Sequence, residues 1–154
     1  MRRNVLVLLF SGVAALNVKW FAPFYSGGGY CSEAIDYLAI LSRVSWLELG
    51  IEQHGDGFSS TFAHGLSQET QTLLKSSLLT GRRMKSIDIA ICHSEPGAWD
   101  PPLYQTSKCP PDNAKIRIGR TMFETDRTPK GWVERLNKMD EIWVPTKQVF
   151  WSCK

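Results

Sequence analysis

The chain has 154 residues, 43% hydrophobic and 21% charged, which is the balance of one globular domain with little room for a second. Its formal charge of +3 is small, and the densest basic cluster, "GRRMK" at 81–85, lacks interleaved aromatics. That cluster reads as a solvated helix end and argues against a nucleic-acid partner. The four cysteines, Cys31, Cys92, Cys109 and Cys153, form no C-x-x-C pair and no zinc spacing with the three histidines. No metal site is expected, and the cysteines are too few for a disulfide scaffold, so buried or idle thiols are the expectation.

Two readings fit the amino terminus. "MRRN" followed by "VLVLLFSGVAAL" has the charged start and apolar stretch of a secretory signal or anchor over residues 1–16, with cleavage after Ala15. The run of about 12 residues is short for a bilayer span. The other reading is a buried strand, "VLVLLF", closed by Ser11-Gly12. The signal leaves a good first strand still in place at "VKWFAP" (18–23), and that favours it.

From Asn17 onward strand-like and helix-like segments take turns. After "VKWFAP", the stretch "SEAIDYLAILSRV" sets Ala34, Tyr37, Leu38, Leu41 and Val44 on one helical face, with Ser32 as its cap. "WLELGIE" (46–52) returns to strand alternation. "LSQETQTLLKSSLL" (66–79) is helical, with Ser67 at its start and Gly81 just past its end. "IDIAIC" (87–92) is a buried strand, and a long Pro-rich stretch to Lys115 follows it. Trp99 and Tyr104 make that stretch an ordered, packed loop. "IRIG" (116–119) and "EIWVP" (141–145) are further strands, with the helical "WVERLNKM" between them. Strands separated by helices, without hairpin signals, predict a parallel sheet flanked by helices, doubly wound and Rossmann-like.

In such sheets ligands sit beyond the carboxyl ends of the strands. Those ends lead into Gly27-Gly28-Gly29-Tyr30, Gln53-His54-Gly55-Asp56, His93-Ser94-Glu95 and Arg120-Thr121, the last followed by Glu124-Thr125-Asp126-Arg127. A parallel sheet would gather all four clusters on one rim. The glycine run fits either a plain turn or a place where an anion approaches bare N–H groups at a helix start. It matches neither the dinucleotide pattern nor the P-loop, and an oxidoreductase reading finds no support there. His93 is a candidate proton acceptor at a strand mouth, or a histidine bonded to loop backbone. His54 suits a turn, and His64 the surface. Glu124 and Asp126 beside Arg120 and Arg127 suit a clamp for sugar hydroxyls or a structural ion-pair network. Trp99 either stacks on a sugar face or anchors its loop.

Three stretches together carry a family likeness: "VKWFAPFYSGGGYCSEAIDYL", "CHSEPGAWDPPLYQTSKCPP" and "IGRTMFETDRTPKGWVERLNKMDEIWVPT". They resemble a plant branch of the GT-B glycosyltransferases, family-four or group 1-like, within the UDP-glycosyltransferase superfamily. The likeness runs from about Asn17 to Thr146, and its most specific part is the third stretch. It implies that residues 17–146 are the amino-terminal, acceptor-side half of a GT-B fold. It further implies a UDP- or GDP-sugar donor, a sugar or glycan acceptor, no metal, and retention of anomeric configuration. On this likeness Gly27, Gly28 and Gly29 form the loop toward the donor phosphates, and Tyr30, Glu95, Trp99, Arg120 and Asp126 join the substrate site. His93 is the cleft histidine, and Glu124 lies on the acceptor side.

One departure bears on activity. The family's donor half carries two glutamates separated by seven residues, and no glutamate here has another eight positions further on. The expectation is a chain with only the acceptor-side domain, a truncated tail at 147–154, and no transfer on its own. The alternative is a non-catalytic sugar-binding or regulatory fragment. The signal reading implies the secretory pathway, with possible membrane association through residues 1–16, and the strand reading leaves a cytoplasmic protein.

Overall fold

The run "LNVKWFA" alternates its side chains between two covered faces and forms a strand, β1 (Leu16–Ala22). The computed structural model describes residues 15–122 and 127–147, so the expectations for residues 1–14, Glu124, Asp126 and the end of the tail lie outside it. From β1 the chain passes through α1 (Gly29–Leu41), β2 (Leu47–Gln53), α2 (Ser60–Gly65), α3 (Gln68–Arg83) and β3 (Ile87–His93). A single 3-10 turn (Pro96–Ala98) opens the Pro-rich loop, and β4 (Ala114–Arg120), α4 (Lys130–Leu136) and β5 (Glu141–Trp143) follow.

All five strands are parallel, in the order β2-β1-β3-β4-β5. The fold is α/β and Rossmann-like, as expected. On one face Val18, Trp20, Leu49, Ile51, Ile91 and Ile118 pack with Ala34 and Leu38 of α1 and Leu74 of α3. On the other, Phe21, Ala90 and Cys92 pack with Ala98, Trp99 and Leu136 from the Pro-rich loop and α4. Alternate positions from Val18 to Ala22 of β1 and from Ile89 to Cys92 of β3 thus divide between two cores, as a doubly covered sheet requires. Beside α1, toward β5, a wholly apolar groove of about 340 Å³ runs over Val18, Ile89, Ile118 and Trp143.

Three local expectations need correction. Helix α1 begins three residues before Ser32, with Gly28 as an N-cap that supplies no side-chain bond. Ser32 lies inside the helix and donates to the Gly28 carbonyl at 3.3 Å. Gly81 is within α3, not past its end, although Ser67 does cap that helix through the Thr70 amide. The reason is tertiary: a Cβ on Gly81 would fall 2.3 Å from the Ile51 carbonyl oxygen, and one on Gly50 would meet the Gly81 Cα at 2.5 Å. The two glycines let α3 lie directly on β2. Finally, Cys92 and Cys109 are disulfide-bonded, with Cα atoms 5.8 Å apart, and are not idle thiols. Cys31 is the buried free thiol among the described residues.

Candidate functional site

The strand order locates the site. The chain steps from β1 to β2 on one side and then crosses back over β1 to β3, so the winding reverses between β1 and β3. Outside the carboxyl ends of those two strands lies the crevice where open α/β sheets bind ligands. The glycine run leaves β1 there, and His93 is the last residue of β3. Parallel register pairs His93 with Arg120, the last residue of β4.

The glycine turn forms one wall. Gly27 adopts φ +81°, which L side chains rarely adopt, and a Cβ there would touch the Phe62 ring at 3.0 Å. Gly28 and Gly29 are exposed, and a Cβ on Gly29 would meet nothing within 4 Å. Ser32 is the first residue of α1 whose amide bonds back along the helix, to the Gly28 carbonyl at 3.1 Å. The amides of Gly29, Tyr30 and Cys31 open the helix, where no preceding turn supplies acceptors. They form a positive helix end facing an exposed glycine surface.

One turn into α1, Glu33 reaches across the crevice. Its Oε2 lies 2.8 Å from His93 Nε2, and its Oε1 pairs with the Arg120 guanidinium. Trp20 Nε1 is 3.2 Å from His93 Nδ1. An indole nitrogen only donates, so Nδ1 is the acceptor and the neutral imidazole carries its proton on Nε2, donated to Glu33. Burial holds the His93 pKa down to about 4, against the opposing pull of the Glu33 charge. His93 is fully buried and both its nitrogens are committed, so it is no free proton acceptor at the surface. Of the three, Glu33 is the group that reaches solvent, with its side chain 26% exposed.

Arg120 is also buried, and besides Glu33 it donates to the Thr121 and Trp143 carbonyls. It fixes Glu33 from below and does not project outward as a sugar clamp. Tyr30 latches α1 to the exit of β4: its hydroxyl donates to the Met122 carbonyl, accepts from the Met122 amide at 3.1 Å, and lies 3.2 Å from Thr121 Oγ1. Burial raises its pKa.

The Pro-rich loop closes the rim from the other side. Trp99 is fully buried, with Nε1 donating to Ser94 Oγ at 3.1 Å. Its ring fills the space over Gly119, where a Cβ would fall 2.4 Å from Cη2. Trp99 therefore anchors the loop, and its faces are not open to a sugar. Glu95 is half-buried and hydrogen-bonds Tyr104, whose pKa is pushed up by burial and by the Glu95 charge. His54 pins the loop through Nδ1, which donates to the Ser107 carbonyl at 2.9 Å, and burial lowers its pKa to about 4. His64 is exposed, as expected.

The described members of the four strand-end clusters share one rim. Gly28 stands over Asp56, Gly55 against Ser94, and Glu33 bridges His93 to Arg120. The residue that sequence reasoning missed is Glu33, because an acid on an amphipathic helix reads as part of its solvated face. Its position one turn past the glycine run was the available signal.

Among the described residues no group of three or more His, Cys, Asp or Glu side chains could hold a metal ion. No helix among them is long and apolar enough to cross a membrane. Comparison with family models, curated proteins and solved structures finds no significant match.

Proposed function

We propose that this chain is the acceptor-side domain of a glycosyltransferase that uses a nucleotide-sugar donor, UDP- or GDP-linked. The observation that carries this reading is the uncapped glycine turn at the start of α1, standing on the same rim as the Glu33 carboxylate. A diphosphate needs bare amides and a positive helix end, and a sugar hydroxyl needs a fixed acceptor. The likeness of the three sequence stretches to family-four glycosyltransferases supplies the reaction class.

In this reading Glu33 accepts a hydrogen bond from a sugar hydroxyl, while His93 and Arg120 act through it as positioning residues. Glycosyl transfer also requires charge stabilisation on the departing diphosphate and alignment of two substrates. The glutamate pair on which donor-side catalysis depends in the family it resembles has no counterpart in the sequence. The chain alone is therefore proposed to bind without turnover, and a sugar-binding or regulatory role is the second reading. The Cys92–Cys109 disulfide supports a secretory-pathway location, since such bonds persist in oxidising compartments.

The test is a transfer assay with UDP- and GDP-sugars over a panel of oligosaccharides, run beside a direct oligosaccharide-binding measurement. Saturable binding that Glu33→Gln abolishes, without product, is expected. Turnover by the chain would refute the inactivity, and no binding across the panel would refute the site.

A further inference from the structure

A second cleft, of about 560 Å³, lies outside the β2 edge and shares none of the Glu33, His93 or Arg120 side chains. It is built from five separate segments. Tyr25 follows β1, Gln53 ends β2, Phe58 lies in the next loop, Ala63 is on α2, and Leu78 and Arg82 are on α3. One wall is aromatic: the Tyr25 and Phe58 rings lie 5.4 Å apart at 44°, and Phe58 is 64% exposed. Ala63 and Leu78 supply an aliphatic part of the lining.

The polar groups differ in how far they are committed. Gln53 is used at both ends, accepting from the Tyr25 amide at 3.2 Å and donating to the Asp56 carbonyl at 2.9 Å. Glu52, at the cleft edge, is tied to Lys19 at 2.5 Å. Among the described residues the Tyr25 hydroxyl and the Arg82 guanidinium have neither a hydrogen-bond nor an ion-pair partner in the protein. They are close enough for the Arg82 charge to oppose the rise that burial causes in the Tyr25 pKa. Arg82 lies in the last turn of α3, where a cation suits the helix dipole anyway. What sets it apart is that its unused donors border an aromatic cleft. A mostly apolar pocket with a few convergent donors is the pattern of a small-molecule site.

We propose that this cleft binds a small aromatic acid. The ring would lie against Phe58, Ala63 and Leu78, and the carboxylate or phosphate would take the Arg82 donors and the Tyr25 hydroxyl. A planar guanidinium recognises either head group through paired N–H bonds. The site is independent of sugar transfer and stands or falls apart from the proposed reaction.

The experiment is a ¹H–¹⁵N NMR titration of the full chain with phenylacetate, phenyl phosphate and benzyl alcohol. The two acids are expected to shift the amides of Tyr25, Phe58, Ala63 and Leu78 and to leave Gly28 and Gly29 unmoved. Benzyl alcohol is expected to bind about ten-fold or more weakly, since it lacks the charge-assisted bonds. Arg82→Gln, at an exposed position, is expected to reduce the acids to the affinity of the alcohol. The stronger of the two acids identifies the head group. Equal binding of the alcohol, undiminished binding by R82Q, or no shifts in the cleft would each overturn the proposal.

Discussion

Glu33 and His93 meet at 2.8 Å across the point where the sheet reverses its winding, and the imidazole beneath holds the carboxylate toward solvent. The direction of that hydrogen bond is set by Trp20, which leaves only Nε2 to carry the proton. The His93 tautomer at pH 7 is therefore expected to be Nε2–H, read by long-range ¹H–¹⁵N correlation. An Nδ1–H signal would mean that the Trp20 contact is not a hydrogen bond.

Acid should destabilise the fold through two histidines. His54 and His93 both have folded pKa values lowered to about 4 by burial, below the ordinary 6.5. The unfolded chain then binds more protons throughout that window, so stability is full above about pH 6.5 and falls as pH drops toward 4. Each histidine contributes a slope approaching roughly 1.4 kcal/mol per pH unit within it. Urea midpoints between pH 7 and 4 check this, and a flat profile would contradict the burial of both rings.

The glycines separate packing from function. Gly81→Ala would improve helix propensity on an open helix, yet here its Cβ collides with the Ile51 carbonyl. A net loss of about 1–3 kcal/mol is expected from denaturation curves. Gly29→Ala meets open space and is expected to leave stability within about 1 kcal/mol of the parent. Any loss of ligand binding in that variant then reports on approach to the backbone, not on folding.

The disulfide closes a sequence separation of 17 residues, from the β3 end to the far side of the Pro-rich loop. Cys109→Ser is expected to cost about 3 kcal/mol by the loop-closure argument. Unchanged stability would mean that Trp99 and His54 hold the loop without the bond.

Much of this architecture was legible because buried parallel strands are short apolar runs. "IDIAIC" and "IRIG" each lie within an observed strand that extends them by up to three residues, while "VKWFAP" matches β1 as far as Ala22 and runs one residue past its end, at Pro23. The rim was legible too, since strand direction alone gathers the groups after β1, β2, β3 and β4. What escaped depended on contacts distant in sequence. Gly81 looked like a helix stop because its partner, β2, is invisible to local pattern. Cys92 and Cys109 looked idle because only the folded loop brings their Cα atoms within 5.8 Å. Glu33 looked like a solvated face residue because His93 and Arg120 come from strands 60 and 87 positions away.

The central claim is that the glycine turn and Glu33 form one site for a nucleotide sugar. Titration of ¹⁵N-labelled protein with UDP-glucose and GDP-mannose tests it most directly. Saturable shifts at Gly28, Gly29, Tyr30 and Glu33, lost in Glu33→Gln at the sugar and in Gly29→Ala at the phosphates, are the predicted result. Shifts elsewhere, or none at millimolar ligand, would contradict it.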